Sequence, residues 1–328
     1  SSNPQQVHSV NKKNQTLLHL AAYYGEADLI EELIEAGITV NAQDKEGNTA
    51  LHLACYARKA ECVEIMLEAG ACPNISNLDG ETALHKAAVY CRRYTCEQLL
   101  LKTPVAVLDI NKRSALHVAA KYQNLEFCEA LLDQGANMNA LDKDGNDPLF
   151  SCLAGLHSKI ECQELLIGRT ENVNFVNNKG ETYLHAAAAT SKPHALKLLL
   201  AQKAKVNISD KDGYSPLSQA FLHRNQQCAK LLIENGADLS LRDAKGRSVL
   251  HLMAFWLTEK SRLAKFIKAT DINATDSKGR TALHDIVYWG HINNVKEMLE
   301  AGAKLDIKAK NGETVIYEAI KKDRLKIL

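Results

Sequence analysis

A leucine recurs along this 328-residue chain at a nearly constant interval. The successive spacings are 33, 33, 32, 33, 35, 33, 33, 33 and 33 residues. The positions are Leu18, Leu51, Leu84, Leu116, Leu149, Leu184, Leu217, Leu250, Leu283 and, last, Ile316. Such a period indicates a tandem array of small repeats that bury their apolar faces against one another. About ten repeats occupy residues 10–328 as one domain, and residues 1–9 form a polar lead-in.

Each repeat has the pattern of a tight turn followed by two short helices. A helix-capping residue such as Thr49 stands two positions before the repeat leucine. In eight repeats a glycine stands two positions before the cap, as Gly47 does in "DKEG", and this pattern indicates a turn with positive φ. A second amphipathic helix follows, for example "DLIEELIEAG" at residues 28–37.

These features resemble the ankyrin-repeat family. The segments "GNTALHLACYARKAECVEIMLEAGACPN" at 47–74 and "GRTALHDIVYWGHINNVKEMLEAGAKLD" at 279–306 are the clearest copies, and the resemblance covers essentially the whole chain. It implies an all-α fold, a curved solenoid of paired antiparallel helices with β-hairpin fingers between repeats.

Several repeats depart from the pattern. Lys112 replaces the turn glycine of the fourth repeat, Pro104 follows a shortened third repeat, and "AGLHSK" at 154–159 is an unusual helix junction. We therefore expect local irregularity in repeats 3–5. The first repeat is expected to lack a finger and to cap the array. The tenth stops inside its second helix, so an apolar face would be open there. We expect a truncated repeat in a fragment of a longer protein, or else a disordered last helix.

Histidine and cysteine are expected to have structural roles, with no catalytic residue, metal site or cofactor. Seven histidines directly follow the repeat leucine: His19, His52, His85, His117, His185, His251 and His284. In the family this ring bonds the capping hydroxyl and the next finger. Five cysteines recur at equivalent helical positions, which is typical of small core residues: Cys62, Cys96, Cys128, Cys162 and Cys228. Free thiols predict a reducing, cytoplasmic location.

Aromatic residues concentrate on the side of the first helix that faces away from the core. At 100° per residue, the fifth and sixth positions after the repeat leucine point away from the core face. These 20 positions hold nine of the 18 aromatic residues, where an even scatter would place about one. They are Tyr23, Tyr24, Tyr56, Tyr90, Tyr122, Phe255, Trp256, Tyr288 and Trp289. In ankyrin domains these positions line the concave groove, so they are the candidate partner-binding residues; stacking of rings between repeats is the alternative.

Basic finger residues flank the two tryptophans. They are Lys245, Arg247, Lys278 and Arg280, with Lys310 next along the chain. Residues 240–328 hold 17 Lys and Arg against 11 Asp and Glu, whereas the chain as a whole is nearly neutral at +1. This balance argues against general binding of nucleic acid or membranes.

The sequence therefore predicts a non-catalytic, monomeric interaction module of scaffold or adaptor type. It would hold a protein segment, acidic with apolar anchors, in the groove of repeats 8–10. The alternative is the substrate-recruiting arm of a larger enzyme, such as a bacterial effector or a ubiquitin-ligase adaptor. Recognition of nucleic acid or an anionic lipid head group is the least favoured interpretation.

Overall fold

The computed structural model describes residues 9–254 and 264–324, and within them the fold is helical throughout. Each of the first nine repeats contributes two helices, as the period predicts, and the tenth contributes one among the described residues. They are α1 (Leu17–Tyr24), α2 (Ala27–Glu35), α3 (Ala50–Tyr56), α4 (Ala60–Glu68), α5 (Ala83–Tyr90), α6 (Arg93–Leu100), α7 (Ala115–Lys121), α8 (Leu125–Asp133), α9 (Pro148–Ala154), α10 (Ile160–Gly168), α11 (Tyr183–Ala189), α12 (Pro193–Ala201), α13 (Pro216–Leu222), α14 (Gln226–Glu234), α15 (Val249–Met253), α16 (Ala264–Ala269), α17 (Ala282–Trp289), α18 (Ile292–Glu300) and α19 (Val315–Lys321).

The chain forms two compact units, Ser1–Glu171 and Asn172–Leu328. Unit 1 contains repeats 1–5, in which the first helices α1, α3, α5, α7 and α9 pack in one layer and the second helices in another. Unit 2 contains repeats 6–10, and its first helices α11, α13, α15, α17 and α19 pack in the same successive way.

The repeat leucines are core residues, as the sequence predicts. All nine are at most 2% exposed, because the first helix of each repeat packs on that of the next within its unit. The tenth position differs: Ile316 is 41% exposed, while Val315 and Ala319 of the same helix are buried. The repeat position is thus a core position in the nine leucine copies and a surface position in the tenth.

The first helix of each repeat begins at the predicted cap. In seven repeats the cap and the histidine three residues later form reciprocal hydrogen bonds. In repeat 2 the Thr49 side chain accepts a hydrogen bond from the His52 amide, and the His52 ring accepts one from the Thr49 amide. The other three caps accept a backbone amide directly: Asp147 from Phe150, Ser215 from Ser218 and Thr314 from Tyr317. This arrangement satisfies amides that would otherwise lack partners at a helix start.

The fingers are tight turns rather than regular β-strands in the described residues. Four of them are closed by a single antiparallel bridge, such as Leu108 with Ser114. Gly47 has φ +78°, and an added Cβ would lie 2.9 Å from the Leu78 nitrogen of the next finger. Lys112 takes the same left-handed conformation, at φ +59°, without being glycine.

The first repeat does possess a finger, contrary to expectation. Asn14 supplies the left-handed residue at φ +62°, and Val10 forms a bridge with Thr16. The Lys45 amide bonds the Lys13 carbonyl at 2.9 Å, as successive fingers do elsewhere. The missing glycine concealed this turn in the sequence, although asparagine tolerates the left-handed conformation better than most residues.

The predicted irregularity is confirmed at the helix junction of repeat 5. Five residues, 155–159, join α9 to α10, whereas residues 25–26 alone join α1 to α2. Gln123, fully buried with φ +53°, holds this long junction through its side-chain amide: Nε2 donates to the carbonyls of Cys152 (3.3 Å) and His157 (2.6 Å), and Oε1 accepts from the Lys159 amide.

The five recurring cysteines are buried and free, as expected for core residues. Burial raises the pKa of the Cys228 thiol to about 11, so this side chain is a neutral thiol at physiological pH. Across residues 9–254 and 264–324, the helices are too short or too polar to span a lipid bilayer.

Candidate interaction groove

The aromatic residues predicted to face away from the core are exposed where the structure describes them. Tyr24 is 65% exposed, Tyr56 and Tyr90 are each 53% exposed, and Trp289 is 43% exposed. Tyr23 and Tyr288 are also exposed, and Tyr122 is intermediate. Phe255 and Trp256 lie outside the described residues. Ile286 and Val287, on the opposite side of α17 from its aromatic pair, are fully buried. The helical spacing of 100° per residue therefore separated the core face from the exposed face correctly.

In unit 2, the aromatic pair of repeat 9 lines a groove shared with repeat 10. The rings of Tyr288 and Trp289 meet edge to face, with centroids 5.2 Å apart. The groove encloses about 660 Å³ and includes Lys278 and Arg280 of the finger beside this pair. The structure thus brings together four of the predicted partner-binding residues.

Arg280 is committed to internal ion pairs at the base of this groove. Its Nη2 lies 3.0 Å from Asp285 Oδ1, and its Nη1 lies 3.1 Å from Glu318 Oε2. All three side chains are less than one fifth exposed. Burial raises the pKa of Asp285, against the opposing pull of the Arg280 charge. Arg280 therefore fastens repeat 9 to repeat 10, which a solvated finger residue would not do.

Arg247 is likewise occupied. Its Nε lies 2.7 Å from Asp243 Oδ2, its Nη2 donates to the Tyr214 hydroxyl at 2.7 Å, and its guanidinium lies 5.8 Å from the Tyr214 ring centroid. Lys245 of the same finger is exposed. Neither residue lines the groove of repeats 9 and 10.

Lys322 is a groove residue that the sequence interpretation missed. It follows α19 directly, and its Nζ lies 4.3 Å from the Tyr288 ring centroid, a cation–π contact. Helical periodicity alone could not place a side chain from the next repeat over this ring. The available signal was the repeat register: Lys322 is the sixth residue after Ile316, the position that Trp289 occupies after Leu283.

The tyrosines of unit 1 line two other grooves. Tyr56, Tyr90 and Tyr122 surround about 690 Å³, with the Tyr90 and Tyr122 rings edge to face at 5.9 Å. Tyr23, Tyr24 and Tyr56 line a smaller one of about 450 Å³. Part of this aromatic surface consists of ring stacking between repeats, which was the alternative to partner binding.

The charge environments of the two units are opposite. Residues 1–171 contain 15 Lys and Arg against 23 Asp and Glu, for a net charge of −8. Residues 172–328 contain 25 against 16, for a net charge of +9. The excess of positive charge thus belongs to the unit that contains the Tyr288–Trp289 groove.

The histidines tie each repeat to the next finger. Their Nε2 atoms lie 2.9–3.1 Å from a finger carbonyl in six repeats, as in the His52 contact with Glu81. The Nδ1 atom of His52 accepts the Thr49 amide, so the ring proton resides on Nε2 and the ring is neutral. His284 makes the same contacts with Thr281, but its Nε2 makes no hydrogen bond within the described residues.

Burial opposes the charged form of these rings. It lowers the pKa of His52 to about 4 and also lowers the pKa of the other six histidines, against finger contacts that favour the proton. In the part of the chain that the structure describes, no group of histidine, cysteine or acidic side chains is arranged to hold a metal ion.

Comparison with known proteins agrees with this architecture. The family model described as "Ankyrin repeats (3 copies)" matches residues 3–77, 73–142, 95–167, 151–243 and 247–328. The chain belongs to the ankyrin-repeat family. Domains of this family generally mediate protein–protein interaction.

Individual relatives share only parts of the chain. It is 35% identical over 81 residues to the E3 ubiquitin-protein ligase KEG of Arabidopsis thaliana, and 33% identical over 95 residues to the human SH3 and multiple ankyrin repeat domains protein 2. These stretches are 24% and 29% of this chain and about 5% of each relative. The crystal structure of the human ASB11 ankyrin repeat domain superposes with a TM-score of 0.60 at 26% identity, over 66% of this chain and 98% of that one.

Proposed function

We propose that this ankyrin-repeat chain is a non-catalytic adaptor or scaffold module that holds a segment of another protein in the groove of repeats 8–10. The partner segment is acidic and contains apolar anchors. The observation that supports this most directly is the exposed Tyr288–Trp289 pair beside Lys278 in one groove.

The large rings of Tyr288 and Trp289 lie partly exposed to solvent. A tryptophan that is 43% exposed contributes little to the core, yet its burial by a partner would remove a large apolar surface from water. Tyrosine and tryptophan are the residues most often responsible for binding energy at protein interfaces. Rim lysines would then set orientation and the association rate.

The histidine network supports a non-catalytic role. In six repeat histidines Nδ1 bonds the cap of the same repeat and Nε2 bonds a carbonyl of the next finger, so these rings are not poised to transfer protons to a substrate. The free thiols, eight of which are buried, support a cytoplasmic location as part of the same proposal, which also takes the chain to be a monomer.

A capture experiment tests the proposed groove. The immobilised domain is exposed to cytosolic extract, captured proteins are identified, and the affinity of a purified partner is then measured by calorimetry. Trp289→Ala should weaken binding by about 2 kcal/mol or more. It should leave the thermal unfolding transition nearly unchanged, because the tryptophan lies outside the core.

Tyr94→Ala is the matched control, since Tyr94 is 45% exposed on the second helix α6 and contacts Glu64 outside this groove. The proposal fails if Trp289→Ala and Tyr94→Ala bind the partner equally well. It also fails if Trp289→Ala loses several kcal/mol of folding stability while affinity is retained, because the tryptophan would then be a packing residue.

A second candidate is the substrate-recruiting arm of a larger enzyme, and the similarity to a protein named as an E3 ubiquitin ligase favours it. A catalytic or ligase-recruiting segment joined to this domain would then modify the captured partner. Reconstituted ubiquitination with the full-length protein distinguishes the two: modification that depends on Trp289 supports recruitment, and binding without modification supports a simple adaptor.

A further inference from the structure

We propose that three lysines of the repeat 9–10 groove, Lys278, Lys310 and Lys322, bind a carboxylate of the partner at the groove rim, and that Lys322 determines this specificity. The inference rests on the proposed function. It adds which cations make the contact and which two-residue feature of a partner they select.

The cations of this groove fall into two sets. Arg280 and Lys321 are ion-paired within the domain, the latter to Glu313 at 2.9 Å. Lys278, Lys310 and Lys322 are exposed and have no carboxylate partner among the described residues, although all three line the same groove. Three unneutralised ammonium groups around one cavity favour an anionic occupant.

The base of the groove determines where the acid can lie. Asp285 and Glu318 share the single positive charge of Arg280 there, which leaves an excess negative charge in a largely buried position. A partner carboxylate placed at the base would meet this like charge in a poorly solvated site. The acid therefore lies at the rim, where the unpaired lysines are.

Lys322 couples the acid to an apolar neighbour. Its Nζ lies over the Tyr288 ring, and the Tyr288 ring meets Trp289 at its edge. A carboxylate bound by Lys322 is thus held beside an aromatic platform that a large apolar side chain can cover. The preferred ligand has an Asp or Glu next to, or one residue away from, a large apolar residue.

The backbone fixes the two finger lysines relative to one another. The Lys310 amide donates to the Lys278 carbonyl at 2.8 Å. Each lysine also adjoins a turn that a side chain stabilises: Asp276 Oδ1 accepts a hydrogen bond from the Lys278 amide, and Asn311 Oδ1 accepts one from the Glu313 amide. The fingertips are therefore ordered before a partner arrives, which lowers the entropic cost of forming the ion pairs.

Selection from a random peptide display library on the full chain tests the proposal. Peptides selected by the wild-type protein should be enriched in Asp or Glu adjacent to a large apolar residue. For the best synthetic peptide, Lys322→Glu should weaken binding about fivefold or more, by fluorescence anisotropy. Replacing the peptide's acid with the matching amide should produce a similar loss in the wild type and no further loss in the variant.

Lys296→Glu is the matched charge reversal, because Lys296 is 77% exposed on the second helix α18 and pairs with Glu300 outside the groove. It should bind the peptide as the wild type does. Circular dichroism melting verifies that each variant is folded; if Lys322→Glu fails to fold, Lys322→Gln with the acid and amide peptides replaces it.

The possible results separate the two proposals. Failure to select any peptide that depends on Trp289 contradicts the proposed function itself. Selected peptides that require Trp289 but lack acidic residues, or that Lys322→Glu and Lys296→Glu bind equally, overturn this inference alone. Preferential binding of a single-stranded oligonucleotide or of phosphatidylserine vesicles over acidic peptides also overturns it.

Discussion

Protonation of the repeat histidines should destabilise this domain in mild acid. The clearest single case is His52, whose Nε2 bonds the Glu81 carbonyl at 3.0 Å and whose Nδ1 accepts from Thr49. Desolvation by burial lowers the folded-state pKa of His52 from 6.5 to about 4. The unfolded chain therefore binds the proton more readily, and folding stability falls as the pH drops.

The size and the pH window follow from those two values. The contribution is complete above pH 6.5, decreases as the pH falls from 6.5 to about 4, and reaches its limit below that. Since each pH unit between the two values is worth about 1.4 kcal/mol, His52 alone should cost about 2 kcal/mol between pH 7 and pH 5. Carboxylates have ordinary pKa values of about 4, so they titrate mainly below the pH range from 7 to 5.

Urea unfolding followed by circular dichroism at pH 7 and at pH 5 measures the effect. His52→Gln should lower stability at both values but reduce the pH-dependent loss by about 2 kcal/mol, because glutamine does not titrate. His223→Gln is the control, since His223 is an exposed residue that ends α13. If the wild type and His52→Gln lose the same free energy of unfolding between the two pH values, the histidine argument is refuted.

Three further predictions concern the fold and its chemistry. Thr49→Ala should cost about 1 kcal/mol through the lost cap and Leu51→Ala about 2–5 kcal/mol through core packing; a larger loss for Thr49→Ala in chemical denaturation would contradict the repeat alignment. Gln123→Ala should cost about 1–3 kcal/mol because it leaves buried junction groups without partners, whereas exposed Gln134→Ala should be nearly neutral in the same assay. Purified, tag-free protein should contain no stoichiometric zinc by elemental analysis, and a bound equivalent would contradict the structural roles of histidine and cysteine.

The repeat architecture was predictable because each of its determinants is local and occurs many times. A cap such as Thr49, a turn glycine such as Gly47 and a core leucine such as Leu51 each act within a few residues. Ten copies averaged out individual departures from the pattern. Where a copy used an unusual residue for the same conformation, as Asn14 does in the first turn, the pattern alone suggested that the turn was missing.

The groove was predictable only in part. Helical geometry correctly placed Trp289 and Tyr288 on the exposed face, because that depends on positions within one helix. The pairing of Arg280 with Glu318 and the position of Lys322 over Tyr288 depend on contacts between residues of adjacent repeats, 34–38 positions apart in the sequence. From sequence alone, every basic finger residue is an equal candidate for binding a partner. The structure shows that the arginines are ion-paired within the domain and that the finger lysines of this groove have no such partner among the described residues.

Cys72 allows the unfolding of this domain to be followed by thiol labelling. It is the one exposed thiol among the nine cysteines, and its amide is anchored to the Asn41 side chain at 2.8 Å. A maleimide dye should therefore attach at a single known position on the folded molecule without any engineered residue. Each repeat that unfolds then exposes its own one or two buried thiols to the dye. Mass spectrometry after a brief labelling pulse can therefore show the order in which repeats 2–5 and repeat 7 unfold.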